Sequence, residues 1–479
     1  MKLVLFNLSL ILALTVNAQD TARKTFGVHE LTIDVDYFFS ALEGAHPNLY
    51  YYHSKDSVCR VKEEIKEQLV APMSRDNFEK LMAYNTNHLF DGHTGLKWVF
   101  TDWETIPDSA LLFPTSQISV IRGNMYLNED TGAQKVLSIN DKQVSELVTI
   151  MRRLIGDDQT PYSKDCRIED YFSTYYYHLY GSSSVFNLTI EQQGKTTLVT
   201  LQGIAKSKAL DYNIDDRAPF DLIIKNGIAL LTVNAFDYEY FRDFKIFLEQ
   251  SFKKIAQANV NYLFIDISEN IGGASDNANL LLDYLYPVDY FFWDGYGTRR
   301  YSESYIESQR GSYFARYEDK DEAERRFDAW QSSIKQEYKT EGYEWERSHE
   351  IDSPYLGKLF ILQSYKTFSA ALDLSSAIKS SNRGLLIGEP TSDPAFNFTD
   401  QVGLRMPNTE IYIGCASTSY TMPSGSHNAK VGILPNILCH HKSLRTMKKD
   451  TNNLFNYFES IISKYGDWQN AIEMIKNFE

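Results

Sequence analysis

Hydrophobic positions change period along the chain. Between 31 and 89 they recur at helical spacing: Val35, Phe38, Phe39 and Leu42 share one face, as do Phe78, Leu81, Met82 and Leu89. The turn Ala45-His46-Pro47-Asn48 breaks the first pair of helices, because a proline restricts the residue before it. From 111 to 201 short alternating runs take over. Runs at 118–121 and 125–127 flank Gly123-Asn124, and runs at 185–190 and 197–201 flank Gln193-Gly194, both hairpin signatures. A further run at 136–140 leads through Asp141-Lys142 into one helix over 144–154. From 220 onward, apolar strands at 228–233, 262–267, 359–362 and 385–387 alternate with helices at 241–258, through 280–285, and at 370–378. Strand, crossover helix and strand in succession predict parallel pairing with helices on the faces.

The same pattern divides the chain. A helical N-terminal domain is expected over 19–105, a small α+β or barrel-like module over 106–210, and an α/β core over 220–445. A charged, Tyr-rich stretch at about 299–353, helical over 322–335, reads as an insertion that either caps a cleft or is a solvated excursion. An amphipathic helix over 454–475, within 446–479, closes the chain and serves packing.

Composition narrows the picture at three points. Met1 and Lys2 precede an apolar run from 3 to 16, which ends in Val16-Asn17-Ala18. That layout predicts a signal peptide over 1–18 and an exported protein, periplasmic or extracellular. The apolar core is short for a bilayer span, and no second stretch is long enough to cross one. The net charge of −15 argues against nucleic acid or an anionic membrane as the main partner. Cys59, Cys166, Cys415 and Cys439 are widely spaced, with no Cys-x-x-Cys and no pair at metal-ligand spacing. They are either buried thiols or up to two disulfides in any of three connectivities.

Three motifs carry candidate chemistry. In Lys366-Thr367-Phe368-Ser369-Ala370-Ala371 a hydroxyl stands between an apolar strand and a helix, at the carboxyl end of a parallel sheet. The Ala370 amide would point out of the positive helix start, as an oxyanion donor must. Serine before a helix is commonly only a cap. In Asp266-Ile267-Ser268-Glu269-Asn270-Ile271-Gly272-Gly273 a buried strand runs into paired glycines, which allow close backbone approach and leave amides to donate. In Asp91-Gly92-His93-Thr94-Gly95 a histidine in a tight turn is an available base.

Together with Gly388-Glu389-Pro390-Thr391 and Gly432-Ile433-Leu434-Pro435-Asn436, the glycine and serine motifs resemble the tail-specific (C-terminal processing) serine peptidases. His46-Pro47-Asn48-Leu49-Tyr50 and Asp91-Gly92-His93-Thr94 resemble the N-terminal domain of that family's tricorn-core and retinoid-binding-protein branch. Leu137-Ser138-Ile139-Asn140 falls in what looks like its PDZ-like insert. The resemblance implies a ClpP/crotonase-like α/β catalytic core carrying a helical N-terminal domain and a PDZ-like α+β insert. It implies Ser369 as nucleophile, His93 as general base, and Gly272 or Gly273 with Ala370 as the oxyanion hole. Peptide or unfolded protein is the implied substrate, with no metal or organic cofactor.

The chain departs from the family pattern in places. The Ser/Lys branch has a lysine about 25 residues after its serine, where this chain has Asp393-Pro394-Ala395. The orienting acid of the tricorn-type branch is replaced by His427-Asn428-Ala429-Lys430, leaving Asp400 or Glu389 as candidate substitutes. Ser268 stands in place of a common arginine. The alternative is a catalytically impaired member of the fold that binds a peptide or other ligand. A different serine hydrolase is disfavoured, since no Gly-x-Ser-x-Gly surrounds Ser369.

Overall fold

The computed structural model describes residues 24–96, 100–115, 118–127, 134–156, 159–209, 218–237, 240–286, 296–317, 319–334, 338–342, 351, 354–423 and 431–466. The expected signal segment 1–18, the 427–430 segment and residues 467–475 of the expected closing helix lie outside them.

The alternating half of the chain forms a six-stranded sheet, in the spatial order Phe220–Lys225, Ile228–Val233, Tyr262–Asp266, Lys358–Gln363, Leu385–Gly388 and Ile437–Leu438. The first pair is antiparallel and the rest are parallel. Strand residues alternate between two apolar layers. Leu231, Ile265, Ile361 and Leu386 pack with Phe244, Leu248, Leu281 and Leu374 of the helices Phe241–Gln257, Ser275–Asp283 and Ala370–Ser380. Leu230, Phe264, Phe360 and Ile387 pack with Leu444, Leu454 and Phe458 of the helices His441–Lys448 and Thr451–Tyr465. Burial on both faces explains why these strands are continuously apolar in sequence. In register, Thr232, Asp266 and Leu362 lie side by side, so the loops after the strands converge on one edge.

The helices Val28–Ala45, Lys55–Gln68 and Arg75–Thr86 fulfil the N-terminal periodicity. The strands Ile118–Ile121, Asn124–Leu127, Gln134–Ile139, Val185–Gln192 and Lys195–Gln202 form one sheet. It carries two helices rather than the one expected: Val144–Arg153 and the 20-residue Pro161–Tyr180. The second is masked in sequence by β-favouring residues such as Tyr175, Tyr176 and Tyr177, and it kinks at Tyr171. A long hairpin, Phe396–Arg405 with Tyr412–Thr421, was also without a strand expectation. Its Val402, Leu404, Ile413 and Cys415 join the same apolar cluster as Phe38, Phe78 and Phe186.

The insertion contributes Tyr296–Arg300, which pairs with Tyr338–Gly342 and with the hairpin, and the helices Glu303–Arg316 and Lys320–Ser333. All four cysteines lie among the described residues and are free thiols, so no disulfide joins them; Cys166 and Cys415 are buried as expected, whereas Cys59 is exposed and Cys439 only partly buried. No helix among the described residues is long and apolar enough to cross a membrane.

Candidate active site

The strand Lys358–Gln363 ends in a turn stitched to its neighbours. The Thr367 hydroxyl donates to Ile267 O (3.1 Å), the Phe368 amide to Asn270 O (3.3 Å), and the Ser392 amide to Thr367 O (3.0 Å). These bonds hold Ser369 at φ 53°, ψ −129°, a conformation that L-residues avoid. Strain of this kind, of order 1–3 kcal/mol, persists only where the surroundings over-determine it. The Ser369 side chain makes no capping hydrogen bond to the helix Ala370–Ser380, so the ordinary reason for a serine there does not apply. The residue is partly exposed.

Gly272 (φ 98°) approaches this turn so closely that a Cβ would lie 2.6 Å from Ser369 Cβ and 2.7 Å from Phe368 O. Only glycine fits. Its amide, however, donates to Asn270 Oδ1 (2.8 Å), and Asn270 is anchored in turn to Val233 O (3.1 Å). The amides of Gly273 and Ala370 donate no hydrogen bond among the described residues. The ambiguity between the two glycines therefore falls in favour of Gly273 as the amide with capacity to donate.

His93 arrives from the helical region. Its amide donates to Asp91 Oδ1 (2.8 Å), while Asp91 Oδ2 pairs with His46 Nε2 (3.0 Å). The Asn48 amide donates to His46 Nδ1 (3.0 Å), which assigns the ring proton to Nε2 and makes it the donor to Asp91. The long hairpin holds the loop from the other side. Gln401 Nε2 donates to His93 O (2.7 Å), and Gly95 and Gly414 exchange backbone bonds of 3.0 and 3.1 Å. The buried His93 ring stacks on Phe368, with centroids 4.3 Å apart and an interplanar angle of 21°. The imidazole thus lies against the residue immediately before Ser369, although 276 positions separate His93 and Ser369 in sequence.

Neither candidate orienting acid directs its carboxylate to that ring. Asp400 accepts from Thr418 Oγ1 (2.9 Å), Tyr420 OH (3.2 Å) and Arg299 Nη2 (3.3 Å). Glu389 accepts from Tyr162 OH (2.7 Å) and His441 Nδ1 (3.0 Å). Burial pushes the Glu389 carboxyl up, but the His441 bond and charge outweigh it and hold it below the ordinary range. His441 is desolvated too, yet the neighbouring Asp170, Cys166 and Glu389 side chains push it up to about 11.

Two further carboxyls adjoin the site. Asp393, noted in the sequence only as a departure, accepts the Ser369 amide on Oδ2 (3.3 Å) and so helps fix the strained turn. Asp373, one turn into the following helix, is buried. Burial first, and the Asp400 charge second, push its carboxyl well above the usual range. Asp91 sat inside the histidine motif, but its bond to His46 spans 45 residues and left no local signal.

Residues 227–439 match the model of peptidase family S41. Among solved structures, mature CPAF superposes with a TM-score of 0.55 at 12% identity, over 86% of this chain and 92% of that one. The structure of mature CPAF complexed with lactacystin also gives 0.55 at 12%, over 94% and 99%. The photosystem II D1 C-terminal processing protease gives 0.42 at 15%, over 89% and 96%. At these identities the CPAF likeness establishes the mixed α/β fold. No curated protein matches this chain in sequence.

Proposed function

We propose that this chain, which belongs through residues 227–439 to the tail-specific serine peptidases of family S41, cleaves peptide bonds with Ser369 as nucleophile and His93 as general base. The observation that carries the reading is the forced conformation of Ser369, φ 53° and ψ −129°, beside a glycine whose Cβ would collide with it. Such a turn exposes a hydroxyl next to unspent amides, the arrangement acyl transfer requires.

In this scheme Ser369 Oγ attacks the scissile carbonyl while His93 takes its proton. The oxyanion forms between the amides of Gly273 and Ala370. As the tetrahedral adduct collapses, His93 returns the proton to the leaving amine. Water then hydrolyses the acyl-enzyme by the same steps in reverse order. The bond from the His93 amide to Asp91, and the hairpin bond to its carbonyl, would orient the base.

Extended, unfolded peptides are the substrates that suit this scheme. The strand Lys195–Gln202, with Leu198 79% exposed, is an edge of its sheet among the described residues, where such a segment could add. Export to the periplasm or the outside, from the leader at 1–18, belongs to the same proposal, and cell fractionation of the tagged chain tests it.

The activity test is cleavage of a denatured protein by the purified chain and by Ser369→Ala. The proposal requires fragments from the wild type and a loss of roughly 10⁴–10⁶-fold in the variant. Equal cleavage by both removes Ser369 from the role. Peptide binding without any cleavage returns the chain to the binding-protein alternative.

A further inference from the structure

Around Glu389 lies a second cluster of reactive side chains. Cys166, Glu389 and His441 each expose 3% of their surface or less. One donor atom from each lies within 4.8 Å of the other two. They come from three separate elements: the helix Pro161–Tyr180, the loop after the strand Leu385–Gly388, and the first residue of the helix His441–Lys448.

Thiolate, imidazole and carboxylate are the ligand types of zinc, and calcium or magnesium would not choose a sulfur. The outer groups fit as well. His441 Nδ1 faces the Glu389 carboxylate at 3.0 and 3.2 Å. On the opposite edge of the ring, Nε2 lies 3.3 Å from Asp170 Oδ1, yet forms no hydrogen bond among the described residues. A ring with one nitrogen in the ligand cluster and the other facing a fixed carboxylate has the layout of a metal-bound histidine and its orienting acid. Asp170 is itself held by two Arg445 bonds of 2.8 and 2.6 Å. His440 stands at the solvent side, 43% exposed, with Nε2 3.8 Å from Glu389 Oε1. It lies outside the set of three and opens a way in from solvent.

We propose that Cys166, Glu389 and His441 bind a zinc ion, the exposed His440 turning inward to complete the four ligands. The ion pins the helix Pro161–Tyr180 to the α/β core. Thiol and imidazole ligate in their deprotonated forms, so zinc binding releases protons. The role is structural. A simpler reading, an imidazolium shared by two carboxylates with the Cys166 thiol beside it, needs no metal, and a metal titration separates the two.

Cobalt is the probe, because a thiolate bound to Co²⁺ gives an ultraviolet charge-transfer band. The metal-free full chain is titrated with Co²⁺ in a thiol-free reducing buffer and then with Zn²⁺. One equivalent of Co²⁺ should produce the band and one of Zn²⁺ abolish it. Cys166→Ser should lose the band while Cys59→Ser and Cys439→Ser keep it. Zn²⁺ should raise the unfolding temperature of the wild type and leave that of Cys166→Ser unmoved. If Cys166→Ser does not fold, Glu389→Gln replaces it, with zinc binding expected to weaken by about 10–100-fold or more. No stoichiometric band in the wild type, a band that survives Cys166→Ser, or unchanged affinity in Glu389→Gln overturns the proposal.

Discussion

Ser369 occupies a backbone conformation it would not choose, and Gly272 makes that possible by having no side chain. Gly272→Ala brings a Cβ to 2.6 Å from Ser369 Cβ and imposes a positive φ on alanine. The expected result is a loss of about 1–3 kcal/mol in stability and of about 10²-fold or more in turnover as the hydroxyl shifts. Denaturant titration and steady-state kinetics measure the two effects. At this scale the sequence was readable wherever a residue's role is set by its immediate neighbours. Serine between strand and helix, and paired glycines after a strand, are local patterns. The choice between Gly272 and Gly273 was not readable, because it turns on the Asn270 side chain occupying one of the two amides. Nor was the commitment of Glu389 to His441, a bond across 52 residues.

At the scale of elements, the helix Ala370–Ser380 carries an unusual cost. Asp373 lies buried in its first turn, and burial and the Asp400 charge keep it protonated far above the ordinary carboxyl range. The native chain therefore holds a proton that the unfolded chain releases, and stability falls as pH rises from the ordinary carboxyl range towards the raised one. Asp373→Asn removes that slope. Its stability relative to wild type should increase from pH 5 to pH 8, as read from urea midpoints at each pH. A constant difference between the two proteins would show that the carboxyl is ionised at both.

Elements with a clean period were legible: the buried strands, and helices such as Phe241–Gln257. The helix Pro161–Tyr180 was not, since its aromatic and β-branched residues favour strands and only packing decides for helix. The hairpin Phe396–Arg405 with Tyr412–Thr421 hid for another reason. Tyr412–Thr421 is buried on both faces along most of its length, so no alternation marks it.

Across the whole molecule, a charged network joins parts that are distant in sequence. Arg445 bridges Asp170 and Glu269, and Lys366, beside the serine turn, reaches Glu269 at 3.1 Å and Asp170 at 3.8 Å. Removing one partner from such a buried set leaves uncompensated charge, so Arg445→Ala should cost about 3–5 kcal/mol. Urea unfolding monitors it, and a loss under about 1 kcal/mol, the scale of an exposed pair, would mean that water already solvates the network. At this scale, alternation of strands and helices predicted the sheet, and the motifs predicted which loops meet at its edge. The joining of the helical region to that edge depends on the hairpin and on the His46–Asp91 pair, neither of which has a sequence period.

The central claim is that Ser369 is a nucleophile activated by His93, and a fluorophosphonate serine probe mapped by mass spectrometry tests it most directly. The adduct should sit on Ser369 in the wild type. It should form roughly 10²–10⁴-fold more slowly in folded His93→Gln and be absent from Ser369→Ala. An adduct on another residue, or a labelling rate indifferent to His93→Gln, would contradict the account.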